Sequence, residues 1–103
     1  MLKASKSAAL PAAICCNVIP QVGSFDGEGQ SSEENKVAAE LRKVWGAPGL
    51  KVSVTAVRVP VVRGHSLSVW LTCRRPVTAA KARGLLKGAP GLQLSADGDY
   101  PTP

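Results

Sequence analysis

Two alternating runs, residues 50–59 (LKVSVTAVRV) and 66–74 (SLSVWLTCR), constrain the fold more than anything else in this sequence. Side chains on a strand point to opposite faces in turn, so apolar residues at every second position build one buried face. In the first run that face is Leu50, Val52, Val54 and Ala56; in the second it is Leu67, Val69, Leu71 and Cys73. Each run reads as a half-buried strand. The connector PVVRGHS interrupts the pattern at Pro60 and Gly64 and carries the only histidine, His65.

Around these runs the chain supplies two helices and two further strands. Ser31 and Glu34 have the spacing of a capping box, with Ser32 as an alternative N-cap. Val37, Leu41, Val44 and Trp45 then recur at helical spacing, and Gly46 and Pro48 end the pattern. This predicts a helix over about 32–45, with Glu33, Lys36, Glu40 and Lys43 as a charged stripe on its other side. Thr78 caps a shorter helix reaching about Lys87, with Leu85 and Leu86 inward. Residues 14–22 read as a strand ending at Pro20, residues 23–30 (GSFDGEGQ) as a loop, and 91–95 as a last strand. The tail DGDYPTP has turn composition. Strand, helix, strand, strand, helix, strand is an α+β order: a mixed sheet with helices on one face. The other sheet face then needs cover from another chain or domain.

Length and composition exclude several classes. A chain of 103 residues makes one domain, and so small a domain buries only about 60–65% of the surface its unfolded chain exposes. The apolar fraction of 45% is that of a globular protein. The net charge of +6 comes from Lys and Arg spread along the chain, with no basic block and no stripe interleaved with aromatics. Nucleic acid is therefore not expected as a partner. No apolar run is long enough to span a membrane. Cys15, Cys16 and Cys73 form neither an even set nor a zinc spacing, which suits a reducing compartment, the cytoplasm.

His65 is the residue with the most chemical promise. It follows Gly64, where the backbone can turn sharply, and it opens a strand. Arg58 stands seven residues earlier, near the end of the preceding strand, where a guanidinium could grip a carboxylate. Read from spacing alone, Arg58 is better explained as a surface arginine on an edge strand. Cys15 and Cys16 within one strand, and Cys73 on the inner face of another, read as packing thiols rather than nucleophiles. No Gly-rich phosphate loop follows a strand.

Five segments taken together carry a family resemblance: 17–25 (NVIPQVGSF), 29–36 (GQSSEENK), 57–66 (VRVPVVRGHS), 89–92 (APGL) and 99–103 (DYPTP). In order and spacing they resemble aspartate-semialdehyde dehydrogenase, over residues 11–103, with residues 1–10 unassigned. The segment VRVPVVRGHS is the most specific of them. The resemblance implies an incomplete, glyceraldehyde-3-phosphate-dehydrogenase-like C-terminal domain with a mixed, largely antiparallel sheet. In that family such a domain follows an N-terminal Rossmann domain that binds NADP, and it forms a homodimer through its sheet face. The implied reaction is the NADPH-dependent reductive dephosphorylation of L-aspartyl-4-phosphate to L-aspartate-4-semialdehyde, on the route to lysine, threonine, methionine and diaminopimelate. His65 would be the general acid–base beside a nucleophilic cysteine. Arg58 would bind the substrate α-carboxylate, Glu33 its α-amino group, and Lys36 phosphate.

The chain departs from the family pattern in ways that limit it. No residue matches the nucleophilic cysteine, which lies upstream in the family, and the Rossmann glycines are absent. Asn35 and Leu41 stand where an apolar residue and a threonine are more familiar. Relatives continue beyond YPTP into one more strand. The chain by itself is therefore expected to be inactive, to bind no NADP, and to be poorly soluble with its sheet face bare. The alternative reading is a non-catalytic dimerisation module or a decayed paralogue. A reductase acting on N-acetyl-glutamyl phosphate shares the architecture but is not expected to carry VRVPVVRGHS.

Overall fold

The computed structural model describes residues 9–103. The chain divides into two compact units, Met1–Pro60 and Val61–Pro103. The expectation for residues 1–8 lies outside the described residues.

In the first unit the principal element is helix α1, Ser32–Val44. Its start follows from the capping box. Ser31 is extended, its hydroxyl accepts from the Glu34 N–H, and the Glu34 carboxylate accepts from the Ser31 N–H at 2.7 Å. The remaining amides of the first turn are also satisfied: the Ser32 N–H donates to the Ser24 carbonyl (2.8 Å) and the Glu33 N–H to the Val22 carbonyl (3.3 Å). Ser31 itself is fully buried. The loop before it must pass close to the helix, and Gly23 permits that: its φ is +89°, and a Cβ there would collide with the Ser32 hydroxyl.

α1 ends as Gly46 predicts. Gly46 takes φ +58°, its N–H donates to the Lys43 carbonyl, and the Ala47 N–H reaches back to the Arg42 carbonyl at 2.9 Å. This is a Schellman closure. The chain then returns past the helix. Arg42 Nε donates to the Leu50 carbonyl (3.0 Å), and the Ala56 N–H donates to Glu34 Oε1 (2.9 Å). Between these two points Leu50, Val52, Val54 and Ala56 are half-buried while Lys51, Ser53 and Thr55 are exposed, as the alternating pattern requires. Arg58 and Ile19 then exchange both main-chain hydrogen bonds as an isolated antiparallel bridge, with Ile19 buried. A second antiparallel bridge, Phe25 to Ser31, closes the loop expected at 23–30.

The second unit holds helix α2, Ala79–Leu86, capped by the Thr78 hydroxyl, which accepts from the Lys81 N–H. An exposed Arg83–Asp97 ion pair ties this helix to the segment that follows.

Several expectations are corrected. Among the described residues the structure contains two helices and isolated bridges but no strand ladder, so the expected sheet with helices on one face is not seen in this chain. Alternation encodes which residues share a face; pairing needs a second backbone alongside, and here one is supplied only at the two bridges. Residues 14–22 are not a strand but begin in a turn at Cys15–Cys16, closed by the Asn17 N–H on the Ile14 carbonyl. The inward side chains expected at Leu67, Val69, Leu71 and Cys73, and at Leu85 and Leu86, are exposed, as are Val44 and Trp45. An apolar stripe is covered only where a second surface meets it, and for these residues the described chain provides none.

Candidate functional site

Three of the four residues singled out by sequence lie in the first unit. Glu33 and Lys36 occupy the first turns of α1, three residues apart and so on one side of the helix. Lys36 Nζ donates to both Glu33 oxygens, at 3.0 and 3.1 Å. That hydrogen bond, with the Glu33 charge behind it, raises the Lys36 pKa above its ordinary 10.5. At neutral pH the two therefore form a closed ion pair, and a zwitterionic ligand would have to open it by supplying a cation to Glu33 and an anion to Lys36.

Arg58 is positioned by its main-chain bridge to Ile19, which leaves the exposed guanidinium free of hydrogen bonds and ion pairs among the described residues. It lines a depression of about 380 Å3 with Leu10, Pro11, Gln21 and Gly23. An unpaired guanidinium beside a carboxamide suits a small anion such as a carboxylate.

His65 belongs to the second unit. Gly64 before it has φ +83°, so the sharp turn expected there is present. The exposed imidazole makes no hydrogen bond among the described residues and lines a depression of about 270 Å3 with Ser66, Leu67 and the tail 101–103. The structure thus brings Glu33 and Lys36 together, places Arg58 in the same unit, and places His65 in the other.

One important residue was missed by sequence reasoning beyond its capping role. Glu34 accepts from Ala56, 22 residues away, as well as from Ser31. Those bonds, led by Ala56, hold its pKa below the ordinary 4.5. No local pattern could reveal a partner so distant. Asp26 is similar in kind: Asn35 Nδ2 donates to it at 2.7 Å, and with the Gln30 and Glu28 amides keeps its carboxyl below the usual 3.8. Both carboxylates organise the helix start rather than a reaction. The described residues contain no cluster of three or more His, Cys, Asp or Glu able to hold a metal, and no helix long and apolar enough to cross a membrane.

Comparison with known proteins decides what this geometry belongs to. The family model "Semialdehyde dehydrogenase, dimerisation domain" matches residues 2–103. The chain belongs to that family. Aspartate-semialdehyde dehydrogenase of Streptomyces akiyoshiensis is 50% identical over 92 residues, covering 87% of this chain and 26% of the relative. The enzyme of the same name from Mycolicibacterium smegmatis is 42% identical over 94 residues, covering 89% and 26%. A USG-1 protein homolog of Pseudomonas aeruginosa is 38% identical over 89 residues, covering 86% and 26%. This semialdehyde dehydrogenase dimerisation domain therefore spans about a quarter of the length of the curated relatives it matches.

Proposed function

We propose that this chain is the substrate-handling and dimerising portion of an aspartate-semialdehyde dehydrogenase. The observation that carries the reading is the 50% identity to an enzyme of that name across 87% of the chain. The activity is the reductive dephosphorylation of L-aspartyl-4-phosphate to L-aspartate-4-semialdehyde, with NADPH supplying the hydride. The start of α1 does not fit that cofactor. Every first-turn amide of α1 is already taken by Ser24, Val22 or Ser31, so that helix offers no free donors to a pyrophosphate. NADP would be held by a separate N-terminal Rossmann domain.

This chain's residues then bind and move protons. Arg58 grips the substrate α-carboxylate from its open depression. The Glu33–Lys36 pair opens on binding: the α-ammonium takes Glu33, and the phosphate takes the Lys36 ammonium. His65, exposed and without a hydrogen bond among the described residues, receives the proton of a nucleophilic thiol contributed by the rest of the enzyme and returns one at the tetrahedral centre. A homodimer covers the apolar side chains that the chain leaves exposed.

The test is a graft. Residues 2–103 replace the matching segment of the Streptomyces akiyoshiensis enzyme, and phosphate-dependent NADP reduction by L-aspartate-4-semialdehyde is measured. An active graft supports the reading. A graft that folds and dimerises but does not turn over sinks it, and favours a non-catalytic dimerisation module or decayed paralogue. The similarity to a relative whose name, USG-1 protein homolog, mentions no dehydrogenase is the observation behind that second reading. The purified chain without the graft is expected to show no NADP reduction.

A further inference from the structure

The turn at 14–17 does something a strand cannot. Consecutive side chains on a strand point to opposite faces, but Cys15 Sγ and Cys16 Sγ lie 3.8 Å apart and both residues are exposed. The cause is local. Cys16 adopts φ +54°, an uncommon conformation for a residue with a side chain. It is held there by the Asn17 N–H on the Ile14 carbonyl (3.0 Å) and by Asn17 Nδ2 on the Ala13 carbonyl (2.8 Å). The Asn17 Oδ1 also accepts from the Val18 N–H. Asn17 thus clamps the turn from both sides and presents two thiols together. Cys73, the remaining thiol, is exposed and has no thiol neighbour among the described residues.

We propose that Cys15 and Cys16 form a two-thiol site for soft, thiophilic centres that accept two sulfurs at one atom, with monosubstituted trivalent arsenicals as the ligand class. Soft thiolates select soft partners, and the second sulfur binds as an intramolecular event at high effective concentration. With an arsine oxide the step is balanced. Two S–H bonds and the As=O bond break, two As–S bonds form, and the oxygen leaves with both protons as water. No electron is transferred, and arsenic stays trivalent. The pair lies apart in role from Arg58, Glu33, Lys36 and His65, so the proposal does not rest on the dehydrogenase reading.

The probe is phenylarsine oxide, followed by intact-mass spectrometry on the reduced full chain. The expected result is one phenylarsenic adduct per chain, formed with loss of one water, removed by ethane-1,2-dithiol and resistant to an equal concentration of 2-mercaptoethanol. Cys15→Ser and Cys16→Ser should each weaken retention about 10²-fold, the advantage of a second tethered contact, while Cys73→Ser should bind as the parent does. Helix content by circular dichroism confirms that each variant keeps its fold. Retention of the adduct by either Cys15→Ser or Cys16→Ser, its loss in Cys73→Ser, or no dithiol-specific adduct in the parent would overturn the proposal.

Discussion

Glu34 shows how much of the first unit depends on single polar side chains. One of its oxygens closes the capping box and the other holds Ala56, and both bonds favour the ionised carboxylate. A folded pKa below the unfolded 4.5 means that stability from this group is fully present above pH 4.5. It is lost as the pH falls through the lowered folded value. Acid titration followed by circular dichroism should therefore show helix loss starting below that pH, and Glu34→Gln should flatten this part of the curve. Ser31 contributes the other half of the box. Ser31→Ala removes a buried hydroxyl that caps α1 and should cost about 1 kcal/mol in urea unfolding. Half of this arrangement was legible in the sequence, since Ser31 and Glu34 stand at capping-box spacing. The Ala56 partner was not, because a contact across 22 residues leaves no trace in local spacing. The cysteines were misread for a related reason. An apolar run reads as a strand, but Asn17, whose side chain competes for local backbone groups and whose N–H closes on the Ile14 carbonyl, turns residues 14–17 back on themselves.

Among the elements, α1 was the most legible. Its cap, its period and Gly46 agree with one another, and the observed Ser32–Val44 lies within a residue of the expected 32–45. Consistency across levels is what makes a segment readable. The run 50–59 was half legible: its alternation reappears in burial, but it packs along α1 through Arg42 and Glu34 and pairs only at Arg58. Two glycines should separate experimentally on this scale. Gly46→Ala keeps space around the new methyl and pays only for the left-handed backbone, about 1–2 kcal/mol. Gly23→Ala adds a collision with Ser32 to the same backbone cost, so it should lower the urea midpoint further. Equal midpoints for the two variants would show that the Val22–Ser24 approach to the helix start is not fixed in solution.

For the whole molecule, the second unit carries the least cover. Val62 is 98% exposed, Trp70 93% and Leu67 79%. A family dimerisation domain with such a surface is expected to self-associate, and size exclusion should give a species larger than a monomer at micromolar concentration. A sharp monomer peak would contradict this. The sequence pattern 66–74 announced an apolar face without saying what covers it, because the covering surface is not encoded in the run itself. The site is legible in the same partial way. His65 and Arg58 stand out by setting and by family resemblance, but no local pattern encodes what else surrounds them, and the chain matches only 26% of the Streptomyces akiyoshiensis relative. The most direct measurement is steady-state kinetics on the grafted enzyme carrying His65→Asn or Arg58→Lys. The account predicts that His65→Asn lowers kcat by about 10²–10⁴-fold with little change in KM. It predicts that Arg58→Lys, which keeps the charge and loses the two-pronged grip, acts mainly by raising KM for L-aspartate-4-semialdehyde. Parent-like kcat and KM in both variants would contradict it.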